Sequence, residues 1–181
     1  MEDKDLYNRL LESVEALSLE PTEKVLVASI ADQRICLFVH GKSCKDYRMS
    51  SSKRPPSCLE DSLGTPWGLH EVCEKIGENA PLGMVFKGRK SIGLRYWECS
   101  EDDRRKNLIT SRILRLRGME PGLNLGAGCD TFDRYVYMHG TNHETAIGRP
   151  ASSGCLQLNN KDVLELFELV DPGTLLLILK D

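Results

Sequence analysis

Apolar residues recur every three or four positions at the start of the chain and every two through much of the rest. Leu6, Leu10, Val14 and Leu17 keep helical spacing and Pro21 follows, so residues 3–19 are predicted to form an amphipathic helix packed on the main body. From Val25 the period shortens, and residues 25–30, 34–39 and 46–50 read as strands of a β-meander. Ala31-Asp32 and Gly41-Lys42-Ser43 separate them. Residues 51–63, rich in Ser, Pro and charge, suit a surface loop leading to the turn Thr65-Pro66-Trp67-Gly68. A strand is predicted over 69–76. Periodicity over 77–131 is weak, with apolar pieces at 84–86, 94–97 and 113–116, and the segment reads only as mixed strand and loop.

The last third is more regular. Residues 134–139 alternate, with Val136 and Met138 on one face and Tyr135, Tyr137 and His139 on the other. That strand would deliver His139 to its C-terminal end, directly before Gly140. Asn159 or Asn160 can cap a helix in which Val163, Leu166, Phe167 and Val170 share a face, and Asp171-Pro172-Gly173 ends it. Residues 174–179 are almost wholly apolar, as in a strand buried on both faces.

A chain of 181 residues fits one domain. The expected division is a helical extension over 1–23 and a main domain over 24–181. The net charge of −3 gives no clustered cationic excess, and Glu101, Asp102 and Asp103 balance Arg104, Arg105 and Lys106, so no nucleic-acid partner is expected. No apolar run is long enough to cross a bilayer, and Glu2, Asp3 and Asp5 stand where a signal peptide would be basic. The expectation is no membrane insertion and a cytoplasmic location, or the cell envelope if the chain is the trimmed remainder of an exported one. Seven cysteines, an odd number without a C-x-x-C pair, suit reduced thiols rather than a disulfide framework. Oligomeric state leaves no signal.

Two short stretches could carry chemistry: His139-Gly140-Thr141-Asn142 and Ser152-Ser153-Gly154-Cys155. A thiol attacks as its thiolate, so it needs a base, and a strand-borne His beside a Cys at a Gly turn meets that need if the intervening loop folds back. Gly before the nucleophile lets consecutive N–H groups converge on one point. Seven cysteines and four histidines also produce such pairs by chance, and inert buried thiols are the reading for Cys36, Cys73 and Cys99. His139 and His143 have the spacing of two metal ligands on a helix, but the segment leaves a strand and lacks the H-E-x-x-H glutamate, so no metal and no cofactor is expected. Trp67 and Trp97 either line a groove or belong to core and rim. Papain-like order is excluded because His139 comes before Cys155.

His-Gly-Thr followed by Ser-x-Gly-Cys resembles the signature of the L,D-transpeptidase catalytic domain, of YkuD type. Thr65-Pro66-Trp67-Gly68 resembles its Thr-Pro-x-Gly segment, the strand pair around Gln33 its opening hairpin, and the helix after Asn159 with the strand from Gly173-Thr174 its closing elements. The resemblance covers residues 24–179. It implies a mainly β fold, a β-sandwich or mixed sheet with an N-terminal helix and one helix after Cys155. It makes Cys155 the nucleophile and His139 the base, oriented by the Gly140 carbonyl, with the amides of Gly154 and Cys155 holding the oxyanion and Ser152 and Ser153 shaping the turn. Ser152 either braces that turn or meets substrate; Thr141, Asn142, Arg149 and Gln157 are candidate substrate contacts.

Ser153 stands where the family often has His, and Gln157 where it usually has Arg, a charge that Arg149 could replace. The implied substrate is a peptidoglycan stem peptide or muropeptide, cleaved before terminal D-alanine through a Cys thioester that a carbapenem would also form. With the expected location, the favoured activity is a tetrapeptide L,D-carboxypeptidase of cell-wall recycling. A transpeptidase forming 3-3 cross-links and an inactive peptidoglycan-binding domain are the competing readings.

Overall fold

The computed structural model describes residues 2–181. The first helix, α1 (Asp3–Ala16), buries Leu6, Leu10 and Val14. It stops earlier than the stripe suggests because Ser18 turns left-handed (φ 53°). Ser18 N–H then donates to Glu15 O and Leu19 N–H to Val14 O, at 2.8 and 3.0 Å, closing a Schellman motif before Pro21 is reached.

Strands β1 (Lys24–Ser29), β2 (Arg34–Val39) and β3 (Lys42–Ser50) form the antiparallel meander. The turn between β2 and β3 is shorter than Gly41-Lys42-Ser43. His40 and Gly41 both have positive φ (48° and 75°), a two-residue hairpin turn that leaves Lys42 already in the strand. The chain continues through β4 (Gly68–Ile76), β5 (Met84–Lys87), β6 (Lys90–Arg95), a one-turn helix α2 (Glu101–Arg104), β7 (Ile109–Gly118), β8 (Tyr137–Thr141), β9 (Leu156–Leu158), α3 (Asn160–Leu169) and β10 (Leu175–Leu179).

All ten strands join one mixed sheet in the order β4-β10-β1-β2-β3-β9-β8-β7-β5-β6, and β4 also pairs with β7. That last pairing closes the sheet on itself, leaving the β5–β6 hairpin as a flap on the first residues of β7. Inward side chains such as Leu26, Leu37, Met49, Leu114, Met138, Leu156 and Leu176 form the main core together with Val163, Leu166 and Phe167 of α3. The stripe of α1 covers the outer face of β1, β2 and β10, against Val25, Val27, Phe38, Leu175 and Leu177. β10 is buried at every position because it has core on one side and α1 on the other.

Two departures from the sequence reading bear on the site. The alternating run 134–139 does not start as a strand: Tyr135 has φ 55°, and Arg134 N–H and Tyr135 N–H close turns onto Asp130 O and Phe132 O, so β8 begins at Tyr137 and runs past His139 through Thr141. The stretch from Ser51 is not wholly a surface loop either. Ser51 and Ser52 are buried, with Ser52 bridged to Ser152.

Candidate active site

Parallel pairing of β8 with β9 sets Met138 beside Leu156, His139 beside Gln157 and Gly140 beside Leu158. Met138, Leu156 and Leu158 point into the main core, so alternation sends His139 and Gln157 to the outer face. Cys155 stands just before β9 and packs on that same face, in the cluster of Tyr137, Ile113, Met84 and Phe86. His139 and Cys155 therefore occupy one face of adjacent strands, two residues out of register. Strand spacing and rise put such Cα positions about 8 Å apart, a separation across which an imidazole and a thiol on one face can share a proton.

His139 is 3% exposed, and its Nδ1 lies 2.7 Å from the Gly140 carbonyl oxygen. A carbonyl can only accept, so Nδ1 carries the proton and Nε2 offers a lone pair. Burial pushes the imidazole pKa down to about 4, opposed in part by the Gly140 carbonyl. Burial likewise pushes the Cys155 thiol up to about 11, opposed by the Tyr137 backbone and by the positive charge of Arg134. The sulfur remains partly accessible and lies 3.7 Å from the Tyr135 carbonyl.

The turn before Cys155 is braced from within. Ser152 Oγ donates to Cys155 O at 2.6 Å and accepts from Gly154 N–H at 3.2 Å. Both bonds belong to the turn, so Ser152, 3% exposed, is a brace. The same bond corrects the expected oxyanion hole, since the Gly154 amide is already engaged. The N–H groups of Ser153 and Cys155 meet no acceptor among the described residues. Gly154 itself has φ 129°, a conformation that L side chains rarely adopt. Behind the turn, Ala151 and Ser152 N–H both reach Ser51 O at 2.9 Å. Gln33 fixes Ser51 through its Oε1 and Nε2, and Ser52 N–H donates to Thr65 Oγ1. Gln33 and the Thr-Pro-x-Gly segment thus meet at the back of the nucleophile turn.

The candidate substrate contacts separate. Thr141 is fully buried; its hydroxyl accepts from His143 N–H and its carbonyl from Asn160, which leaves no face for a ligand. Asn142 is spent on the 104–108 segment, accepting from Leu108 N–H and donating to Arg104 O and Lys106 O. Gln157 is 2% exposed and donates to Asn107 Oδ1 at 2.9 Å. Arg149 is exposed and lines a 580 Å³ cavity with Asn107, Lys53 and Ser153. His143 Nε2 faces Lys106 O, 3.0 Å away, and does not converge with His139. Trp97 lines a separate groove with Tyr96 and Asn159, while Trp67 lies under Lys180; neither borders Cys155.

Two residues escaped the sequence reading. Arg134 donates to Ser57 O, Gly64 O and Ser62 Oγ at 2.8–3.3 Å, clamping the 57–64 loop beside Cys155. With Glu60, Asp61, Asp133 and Tyr135 it lines the 270 Å³ cavity that holds the thiol. Asn160 bolts α3 to β7 and β8 through Thr110, Ser111 and Thr141. Arg134 had no local signal; an Asn at a helix start reads as a cap, and Asn159 holds that position without a side-chain capping bond.

Residues 23–178 match the model of the L,D-transpeptidase catalytic domain, YkuD. Among curated relatives, YqjB of Bacillus subtilis, provisionally named an L,D-transpeptidase, is 36% identical over 76 residues, 39% of this chain and 43% of that protein. YkuD of the same organism, named likewise, is 41% identical over 59 residues, 32% of this chain and 36% of that protein. The alignments thus span less than half of either relative. Of solved structures, L,D-transpeptidase 3 from Mycobacterium tuberculosis with a faropenem-derived adduct superposes with TM-score 0.54 at 16% identity, covering 87% of this chain and 60% of that one. An L,D-transpeptidase from Mycobacterium smegmatis gives 0.51 at 18% identity, covering 86% and 58%. At these identities the superpositions speak to the fold.

Proposed function

This chain belongs to the L,D-transpeptidase catalytic-domain family, and we propose that it is a cysteine acyl-transfer enzyme acting on peptidoglycan stem peptides, with Cys155 as nucleophile and His139 as base. The observation that carries the reading is the His139 imidazole, locked by Gly140 O with its free nitrogen on the face that Cys155 shares.

Cys155 Sγ attacks the carbonyl before terminal D-alanine while its proton passes to His139 Nε2. The oxyanion is received by the Cys155 N–H, helped by that of Ser153. When the C–N bond breaks, His139 returns the proton to the departing amine, leaving a thioester on Cys155. Water then yields a tripeptide and regenerates the thiol, which is the favoured outcome: a tetrapeptide L,D-carboxypeptidase meeting soluble muropeptides in the cytoplasm. An odd number of cysteines, seven with no C-x-x-C pair, supports a reducing compartment. One observation favours the second reading, an amine acceptor and a 3-3 cross-link: Glu60, Asp61 and Asp133 at the thiol cavity would attract an ammonium group.

Incubation with disaccharide tetrapeptide, with and without an acceptor stem, tests both. D-alanine and tripeptide alone mark the hydrolase, and a dimeric muropeptide marks the transpeptidase. D-alanine release that survives Cys155→Ala, or no release by the parent, overturns the acyl-transfer reading.

A further inference from the structure

Beside the thiol cavity lies the larger one of 580 Å³, and Ser153 lines both. Its lining includes Lys53, Arg105 and Arg149 with Asn107 and His143, and no carboxylate. In a chain of net charge −3, three cations around one cavity form a local reversal of sign. Arg105 has Asp102 at 3.8 Å, an exposed contact; Lys53 and Arg149 have no acidic partner among the described residues. Lys53 is tied to the nucleophile turn by its N–H on Ser152 O at 3.1 Å. Gln157 ends on Asn107, which in turn donates to Ala151 O at 3.2 Å. The position where the resemblance expects Arg thus reaches the cavity wall as a neutral relay, and the charge is carried by the cavity itself.

We propose that this cavity binds the terminal carboxylate of the acyl donor, the carboxylate of the residue that Cys155 expels; the inference rests on the acyl-transfer reading above. A carboxylate one residue past the scissile amide lies about 4 Å from the attacked carbon, and Ser153 lies at most about 7 Å along the chain from Cys155. Ser153 is the wall common to both cavities, so the basic one adjoins the thiol cavity on the side that the leaving group would enter while the other receives the rest of the peptide. Guanidinium and ammonium donors meet a carboxylate with charge-assisted bonds, and a terminal carboxamide forfeits them.

Calorimetry on Cys155→Ala protein, with a tetrapeptide acid and its C-terminal amide, reads binding without turnover. The amide should bind about ten- to a hundredfold more weakly. Adding Lys53→Ala, Arg105→Ala and Arg149→Ala should bring the two ligands to the same affinity, and Lys53→Arg with Arg105→Lys and Arg149→Lys should retain the preference, which guards against misfolding as the cause. Equal binding of acid and amide to the single variant, or a preference that survives loss of all three cations, overturns the proposal. Failure of the underlying reading looks different: carboxylate-dependent binding persists while the parent releases no D-alanine.

Discussion

A thiol held at about 11 and an imidazole held at about 4 are both neutral at pH 7, so the pair does not rest as an ion pair. Proton transfer must accompany attack, with charge appearing only as the sulfur–carbon bond forms and the Arg134 guanidinium nearby to offset it. Iodoacetamide alkylation of Cys155 should be slow at neutral pH and rise about tenfold per pH unit towards about 11; a rate already level at pH 7 would show a preformed thiolate and sink the idea. Turnover should fall only as the pH drops through about 4, where His139 takes up a proton and can no longer act as base. Cys155, His139 and Gly140 could be singled out in the sequence only once His-Gly-Thr and Ser-x-Gly-Cys were set beside a family signature, because a Cys and a His at this spacing also arise by chance. Arg134 could not, because its place beside the thiol depends on a turn at Tyr135 that an alternating run of residues conceals.

At the level of elements, the small residue after His139 has a packing cause. A Cβ on Gly140 would meet Asn160 Oδ1 and Thr110 O at 2.7 Å, so glycine lets β7 and the start of α3 close on the strand that bears the histidine. Asn160 uses its whole amide there: Oδ1 accepts from Thr110 and Ser111 at 2.6 and 2.5 Å, and Nδ2 donates to Thr141 O and Glu144 at 2.8 and 3.0 Å. Asn160→Ala should take the acceptor from the buried Thr110 and Ser111 hydroxyls, the latter still accepting from Gly83 N–H, remove a donor to Thr141 O, and lower unfolding free energy by about 3 kcal/mol. Urea titration with an unchanged m-value checks it; a loss below about 0.5 kcal/mol would assign those bonds no weight. α1, α3, the meander, β4 and β10 were legible because their burial pattern is regular, whereas α2, β5 and β6 fall in the segment whose periodicity is weak. β7 was not, since Arg112 and Arg115 are buried within it, 6% exposed each, under Phe167 and Phe132. Ser111 at φ 65° also shifts its register, so hydrophobic periodicity fails at the strand that pairs with β4, β5 and β8.

Closure of the sheet depends on that strand, which is why the pattern gave the meander and the flanking strands, the resemblance implied the mainly β class, and the ring itself stayed hidden. It also buries two histidines as neutral rings, with a consequence for the whole molecule. His139 is one. His70 on β4 is the other, fully buried between Gly68 O at Nδ1 and Thr131 Oγ1 at Nε2. Burial lowers both from 6.5 to about 4. Between those values the unfolded chain binds protons that the folded protein refuses, so stability must fall as pH falls through this window and stop falling from this cause below about 4. Each ring is worth about 3 kcal/mol across the full span, and the pair a large share of the roughly 5–15 kcal/mol typical of a domain. From pH 6.5 to 5 the carboxylates stay ionised in both states, so the histidines dominate there. Urea midpoints should drop steadily over that interval in the parent, and in His70→Gln, whose amide does not titrate, the drop should be about half as steep. A flat profile from 6.5 to 5, or a slope untouched by removing either ring, would mean that the closed sheet admits protons to these sites and that the neutral imidazole at Cys155 is not held by burial.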